Sequence, residues 1–301
     1  MKIGISISSS YLVEDVRDGA RQMVDRARAA AQAGLDSLFV GDHHVVPTPY
    51  YQNTPMLGRL LAEWNDRPAG ALFLLPLWNP VLVAEQVATL ACISQGPFIL
   101  QCGLGRDQYQ FDAMGADIRY RPSAFEQAIG VLRQLWQGES VSLSGRWQFK
   151  DARIAPLPPE PIKIWIGASA PVAIQRAARL GDAWLADPGM NLQQARESID
   201  VYQEALADCG NSVDTIALRR DVYVAESPEE ADMVRQLITE KGYRGFDPSA
   251  LVIGNPEQVA STFSDYGAIG YTDIIIRNLH RDPDRAVAST ERMAEVKALL
   301  S

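Results

Sequence analysis

Short apolar runs alternate with amphipathic stretches from one end of this 301-residue chain to the other, and nothing else constrains the fold as tightly. Lys2–Ser8 reads as a strand. A helical pattern carrying Val16, Met23, Ala27, Ala30 and Ala31 follows it, closed by Gly34. Further strand signals stand at Ser37–Val40, Ala69–Pro76, Phe98–Gly103, Lys163–Gly167, Ala183–Ala186, Ile216–Ala225 and Thr272–Arg277. Between them, helix starts are marked at Thr54-Pro55, at Pro80 behind Asn79, at the capping box Ser123-Ala124-Phe125-Glu126, and at Pro171. Later starts stand at Asn191, Asn255 and Asp282-Pro283, the last helix running nearly to Ser301. Strand then helix, eight times over, predicts an α/β chain of the (β/α)8 TIM-barrel type in one domain, 1–301, with a doubly wound sheet as the alternative. Two excursions break the alternation. Gln137–Ile162, after the fourth helix, contains a hairpin pattern around Ser144-Gly145, and Glu226–Gly254, after the seventh strand, contains a helix from Pro228 to Lys241.

The formal net charge is −9 and no basic run is present, which argues against a nucleic-acid partner. There is no apolar stretch of membrane-spanning length and no basic-then-apolar leader, so the expectation is a cytoplasmic protein without a membrane partner. Cys92, Cys102 and Cys209 have neither the spacing of a metal site nor an even count, and read as small buried hydrophobes. No carboxylate–histidine spacing supports a metal among the three histidines, so a metal-dependent hydrolase ranks last among the functional readings.

In a barrel, the residues that follow strand C-termini converge on one rim. Ser37–Val40 stops at Asp42-His43-His44, an acid and two histidines, which suits proton transfer. After the fourth strand, Gly103-Leu104-Gly105-Arg106 offers close backbone approach and a guanidinium for an anion. Gly167-Ala168-Ser169-Ala170-Pro171 leads from a strand into a helix, where free N–H groups and the helix dipole favour an anion; Ser169 either caps that helix or binds the anion itself. The third strand, through Ala71, Leu72 and Leu75, ends without a titratable group and suits a flat ring system.

In their order along the chain these segments resemble the bacterial luciferase-like superfamily of flavin- and deazaflavin-dependent oxidoreductases. The resemblance also takes in Ala33–Leu38, Leu74-Leu75-Pro76, Asn79-Pro80-Val81, Ala84–Leu90, Arg176–Asp182 and Gly254–Val259. It implies that His43 is the active-site histidine beside the reactive ring edge, that Asp42 orients it, and that a non-prolyl cis peptide at Ala71–Leu72 lies under the ring. It implies that Arg106 and Ser169 hold the cofactor phosphate, with Gly103, Gly105, Gly167, Ala168 and Ala170 around it. A short loop after Arg106 tilts the resemblance toward FMN over coenzyme F-420.

The leading expectation is therefore a reduced-FMN-dependent monooxygenase that transfers one oxygen atom from O2 to a small organic substrate, with reduced flavin supplied by a partner flavin reductase. A coenzyme F-420 (deazaflavin)-dependent hydride-transfer enzyme is the alternative, and a non-catalytic flavin-binding protein follows. The resemblance also implies a homodimer. Substrate choice is assigned to the two excursions and to the loop Val45–Thr54, whose Tyr50 and Tyr51 are placed to cover the mouth.

Overall fold

Strand residues that point alternately to two apolar environments build the core, because every barrel strand is covered inside and out. The computed structural model describes all 301 residues. Its strands are β1 (Lys2–Ile7), β2 (Ser37–Val40), β3 (Ala69–Leu74), β4 (Phe98–Gly103), β5 (Val141–Leu143), β6 (Phe149–Ala152), β7 (Lys163–Ala168), β8 (Ala183–Ala186), β9 (Ile216–Val224), β10 (Val252–Gly254) and β11 (Asp273–Asn278). The helices are α1 (Val16–Gln32), α2 (Asn53–Leu60), α3 (Pro80–Ile93), α4 (Gln108–Ala113), α5 (Arg121–Trp136), α6 (Pro171–Leu180), α7 (Leu192–Cys209), α8 (Pro228–Lys241), α9 (Pro256–Ala268), α10 (Pro283–Glu291) and α11 (Met293–Leu299).

The parallel strands run in the order β11-β1-β2-β3-β4-β7-β8, and β9 pairs with both β8 and β11 to close an eight-stranded TIM barrel. Phe39, Ile99, Trp165, Leu185, Ala217 and Ile275 fill its interior. Their strand neighbours Leu38, Val40, Leu100, Ile164, Ile166 and Ile274 face the helices. Full burial of one such ring, Phe39, contributes roughly 2–3 kcal/mol.

Several element ends differ from the sequence reading. Thr54 does not cap α2: the helix begins two residues earlier, at Asn53 behind Gln52, and Asn53 donates to the carbonyl of Leu72 at 2.7 Å. Ser123 does not cap α5 either. A 3-10 turn at Ile118–Tyr120 feeds straight into the helix, so its start is set before Ser123, whose hydroxyl donates to Tyr120 O. β3 stops at Leu74 and a 3-10 turn over Leu75–Leu77 follows, since Pro76 has no N–H to extend a ladder. The final helix is two helices that meet at Arg292. Of the cysteines only Cys102 is buried; Cys92 and Cys209 lie on exposed helix faces.

The two excursions behave differently. The β5–β6 hairpin lies along the outer helices, where Arg146 donates to Ser123 on α5 and Leu157 O meets Cys92 on α3. The second excursion returns to the barrel as β10, which pairs with Val222–Val224, the upper end of β9, beyond the reach of β8. No helix is long and apolar enough to cross a membrane.

Candidate active site

β2, β3, β4 and β7 are consecutive in the barrel, with Val40 beside Ala71, Leu74 beside Gly103, and Cys102 beside Ile166. Their C-terminal ends therefore place Asp42-His43, Arg106 and Gly167–Ala170 on one arc of the rim.

His43 stands at the mouth with its side chain 38% exposed. Its Nε2 is 3.3 Å from Gln110 Nε2 and 3.8 Å from Asp107 Oδ2, both supplied by the loop and short helix α4 after β4. Gln110 is buried and fixed from both ends: its Oε1 accepts the His44 backbone N–H at 3.0 Å, and its Nε2 donates to Asp107 at 2.8 Å. That orientation turns the amide N–H toward His43 Nε2, which leaves the resting ring protonated at Nδ1. Burial lowers the His43 pKa from the ordinary imidazole value, against the pull of Asp107 and Asp42. The ring is neutral at pH 7. Tyr50 lies against it, with ring centroids 5.8 Å apart, and burial pushes that phenol up to about 12. Tyr51 turns away, donating its hydroxyl to Val16 O and packing edge-on against Tyr11, so of the two tyrosines only Tyr50 reaches the mouth.

Asp42 does not orient His43. Its Oδ2 accepts from the Leu74 backbone N–H and the Trp78 indole N–H, each at 2.8 Å, and its Oδ1 lies 3.1 Å from His44 Nε2, off the line of a hydrogen bond. The carboxylate is wholly buried and braces the β2 and β3 ends from behind. In the loop past β2, the His43 ring lies against Tyr50 while the His44 ring packs edge-on against Trp78, and only His43 faces the mouth.

The expected cis peptide at Ala71–Leu72 is absent; the chain's cis bond is Ala155–Pro156. Ala71 packs in the outer core, on the far side of β3 from the mouth, whereas Leu72 faces inward. Gly103 and Gly167 stand side by side on β4 and β7. A Cβ added to Gly103 would meet only Leu74 Cδ2 at 3.6 Å, and one added to Gly167 only Cys102 O at 3.5 Å. Neither glycine is demanded by protein packing, so both leave open room at the mouth. Gly105 is different: its φ is +72°, and a Cβ there would crowd the Phe111 ring at 3.1 Å.

Ala170, with no side-chain cap, begins α6, and Pro171 has no N–H. Ser169 therefore keeps its hydroxyl free, and the first-turn N–H groups have no capping side chain. Ala168 is pinned through its carbonyl, which accepts the Trp184 indole N–H at 2.9 Å. Arg106 is 84% exposed, with only Asp107 near it at 3.9 Å. An exposed cation, a free hydroxyl and an uncapped helix start beside two open glycines suit a phosphate joined to a flat group. Gln110 and Asp107 were not singled out in the sequence, although the pairing of an amide with an acid three residues before it on a short helix was there to be read.

A closed parallel barrel whose titratable and glycine-rich strand ends gather on one rim defines a TIM-barrel enzyme with its working end at the C-terminal face. The chain belongs to the luciferase-like monooxygenase family, whose profile matches residues 1–248, and it is an oxidoreductase. It is 23% identical to an F420-dependent glucose-6-phosphate dehydrogenase of Kribbella flavida, over 93% of this chain and 95% of that one. Among solved structures, monooxygenase RslO1 from Streptomyces bottropensis superposes with a TM-score of 0.85 at 20% identity, covering 98% of both chains. An F420-dependent secondary alcohol dehydrogenase superposes with a TM-score of 0.80 at 18% identity, covering 100% of this chain and 99% of that one.

Proposed function

We propose that this protein is a deazaflavin-dependent oxidoreductase that exchanges a hydride with a small alcohol or carbonyl substrate. The observation that carries this reading is the near full-length likeness to a relative named for dependence on coenzyme F-420, joined to a neutral imidazole at the rim. It reverses the order reached from sequence, in which reduced-FMN oxygenation with O2 and a partner reductase came first. The likeness to the Streptomyces monooxygenase is one of fold and does not restore that order.

When bound, the deazaflavin supplies a two-electron hydride acceptor or donor. Arg106, Ser169 and the start of α6 would hold its phosphate, and Leu72, Gly103 and Gly167 would flank its ring. His43 handles the proton. As hydride leaves an alcohol carbon, the hydroxyl proton passes to Nε2 of His43, while the ring's own proton stays on Nδ1; the reverse direction returns it. Taking up that proton gives up only the 3.3 Å contact with Gln110 and leaves Nε2–H 3.8 Å from Asp107. Asp107 then steadies the charged ring.

Fluorescence titration with deazaflavin and with FMN, followed by bleaching assays against a panel of small alcohols, tests the reading. The expected result is tighter binding of the deazaflavin, with bleaching that His43→Gln abolishes while binding persists. Tighter binding of FMN, with an oxygen-dependent flavin hydroperoxide, would overturn it.

A further inference from the structure

Across the mouth from His43, the barrel carries a cluster of guanidiniums that the proton and phosphate chemistry above leaves unused. Arg219 and Asp221 alternate on β9 with the barrel-filling Ala217, and so face the interior. Arg277 on β11 is level with Asp221 across the ladder and donates to Ser8 Oγ at 3.2 Å. Arg244, from the second excursion, reaches down to Asp221 Oδ2 at 2.8 Å. Asp221 is wholly buried and lies 3.5 Å from Arg219 Nη2, beyond a hydrogen bond. One carboxylate thus faces three guanidiniums, a formal surplus of two positive charges inside a chain that is acidic overall.

The Arg219 side chain is 21% exposed although its Nε and Nη2 are buried, and the Arg244 side chain is 34% exposed above the buried carboxylate. Arg219 Nε and Nη2 have no hydrogen-bond acceptor, an arrangement that costs stability until one arrives. Tyr243, beside Asp221, is held neutral by burial, its pKa pushed up to about 12, and so adds no compensating charge. Tyr50 links this cluster to the imidazole: its ring rests on His43, and its phenol lies within the fields of Arg219 and Arg277.

We propose that Arg219 and Arg277 form a subsite for an oxyanion group, phosphate or carboxylate, borne by the substrate, with Arg244 closing over it from the second excursion. The proposal rests on the reading of this mouth as the site of hydride exchange. The anionic end would seat on the guanidiniums while the reacting carbon lies toward His43, which distinguishes it from the cofactor phosphate at Arg106 and Ser169.

Calorimetric titration of inorganic phosphate, and separately of acetate, into the apo protein and the deazaflavin-loaded protein tests this. The expected result is binding to the deazaflavin-loaded protein, in which the cofactor phosphate occupies Arg106 and Ser169, that weakens about tenfold or more in Arg219→Met and in Arg277→Met, the loss of a charged bidentate partner. The better-bound probe identifies the oxyanion. Arg219→Met should also hold or raise the melting temperature in anion-free buffer, since it relieves repulsion, whereas a merely structural arginine would lower it. Anion binding to the loaded protein that survives both methionine variants, or anion binding that vanishes when the deazaflavin is loaded, overturns the subsite. Should the deazaflavin fail to bind while phosphate binding still depends on Arg219, the cofactor reading fails and the anion site stands.

Discussion

Asp42 and Trp78 are joined by a hydrogen bond from the indole N–H to Oδ2 at 2.8 Å, and the same oxygen accepts the Leu74 backbone N–H at 2.8 Å. The carboxylate is thereby a strut between the end of β2 and the turn after β3, while His43 points to the mouth from the next position. Trp78 in turn packs edge-on against both Phe73 and His44, so removing the strut loosens the ground under the imidazole.

Asp42→Ala should therefore act first on stability. It leaves the part-buried Leu74 and Trp78 N–H donors without their acceptor, a cost of about 2–5 kcal/mol. Chemical denaturation is the direct measurement. An unchanged midpoint together with lost activity would return Asp42 to a direct role at His43.

The pH dependence of turnover follows from the direction of the His43 shift. Burial disfavours the charged ring, so the neutral, proton-accepting form persists below the ordinary value of 6.5 and alcohol oxidation fails only at more acid pH. Asp107 pulls the pKa upward, and Asp107→Asn should therefore move the acid limb to still lower pH. A kcat/KM profile for both proteins measures this, and an acid limb that stays in place would remove Asp107 from the proton chemistry.

Glycines on neighbouring strands should part company. Gly167→Ala adds a methyl in ordinary contact with Cys102 O, so stability holds while cofactor affinity drops. Gly70→Ala would place its methyl 2.0 Å from the Ile99 carbonyl oxygen, and it should destabilise the barrel by about 1–3 kcal/mol or more through overpacking. Melting curves and cofactor titration of the two variants, side by side, separate room left for a ligand from room taken by backbone.

Gln110→Ala should cut turnover without abolishing cofactor binding, because the amide sets the His43 tautomer from a buried position held by His44 N–H and Asp107. Gln110→Glu restores an acceptor for His44 N–H but removes the donor to Nε2, so its activity should fall as well. Recovery in the glutamate variant would point to packing as the role of this residue.

The barrel was legible because period-two burial and helix punctuation are local signals. Ser37–Val40, Phe98–Gly103, Pro171–Leu180 and Pro228–Lys241 have the bounds that their apolar patterns and flanking proline or glycine suggest. The side chains of Asn191 and Asn255 close capping boxes as their Asn-x-x-Gln spacing implies. Ser123 misled because an equally good local pattern lost to the turn before it, a competition that depends on how the β4 loop returns.

By itself the sequence determined which residues are strand, which are helix, and which strand ends carry chemistry, since hydrophobic period and chain stiffness act over a few residues. What only the tertiary structure decided is who faces whom. Asp42 serves Trp78 rather than its neighbour His43, Gln110 reaches His43 from a different strand end, and Arg219, Asp221, Arg277 and Arg244 meet at one point of the mouth. Barrel closure sets those pairings: it fixes strand register and inward direction together, and a carboxylate buried by that closure takes whichever donors the closed ring brings within reach.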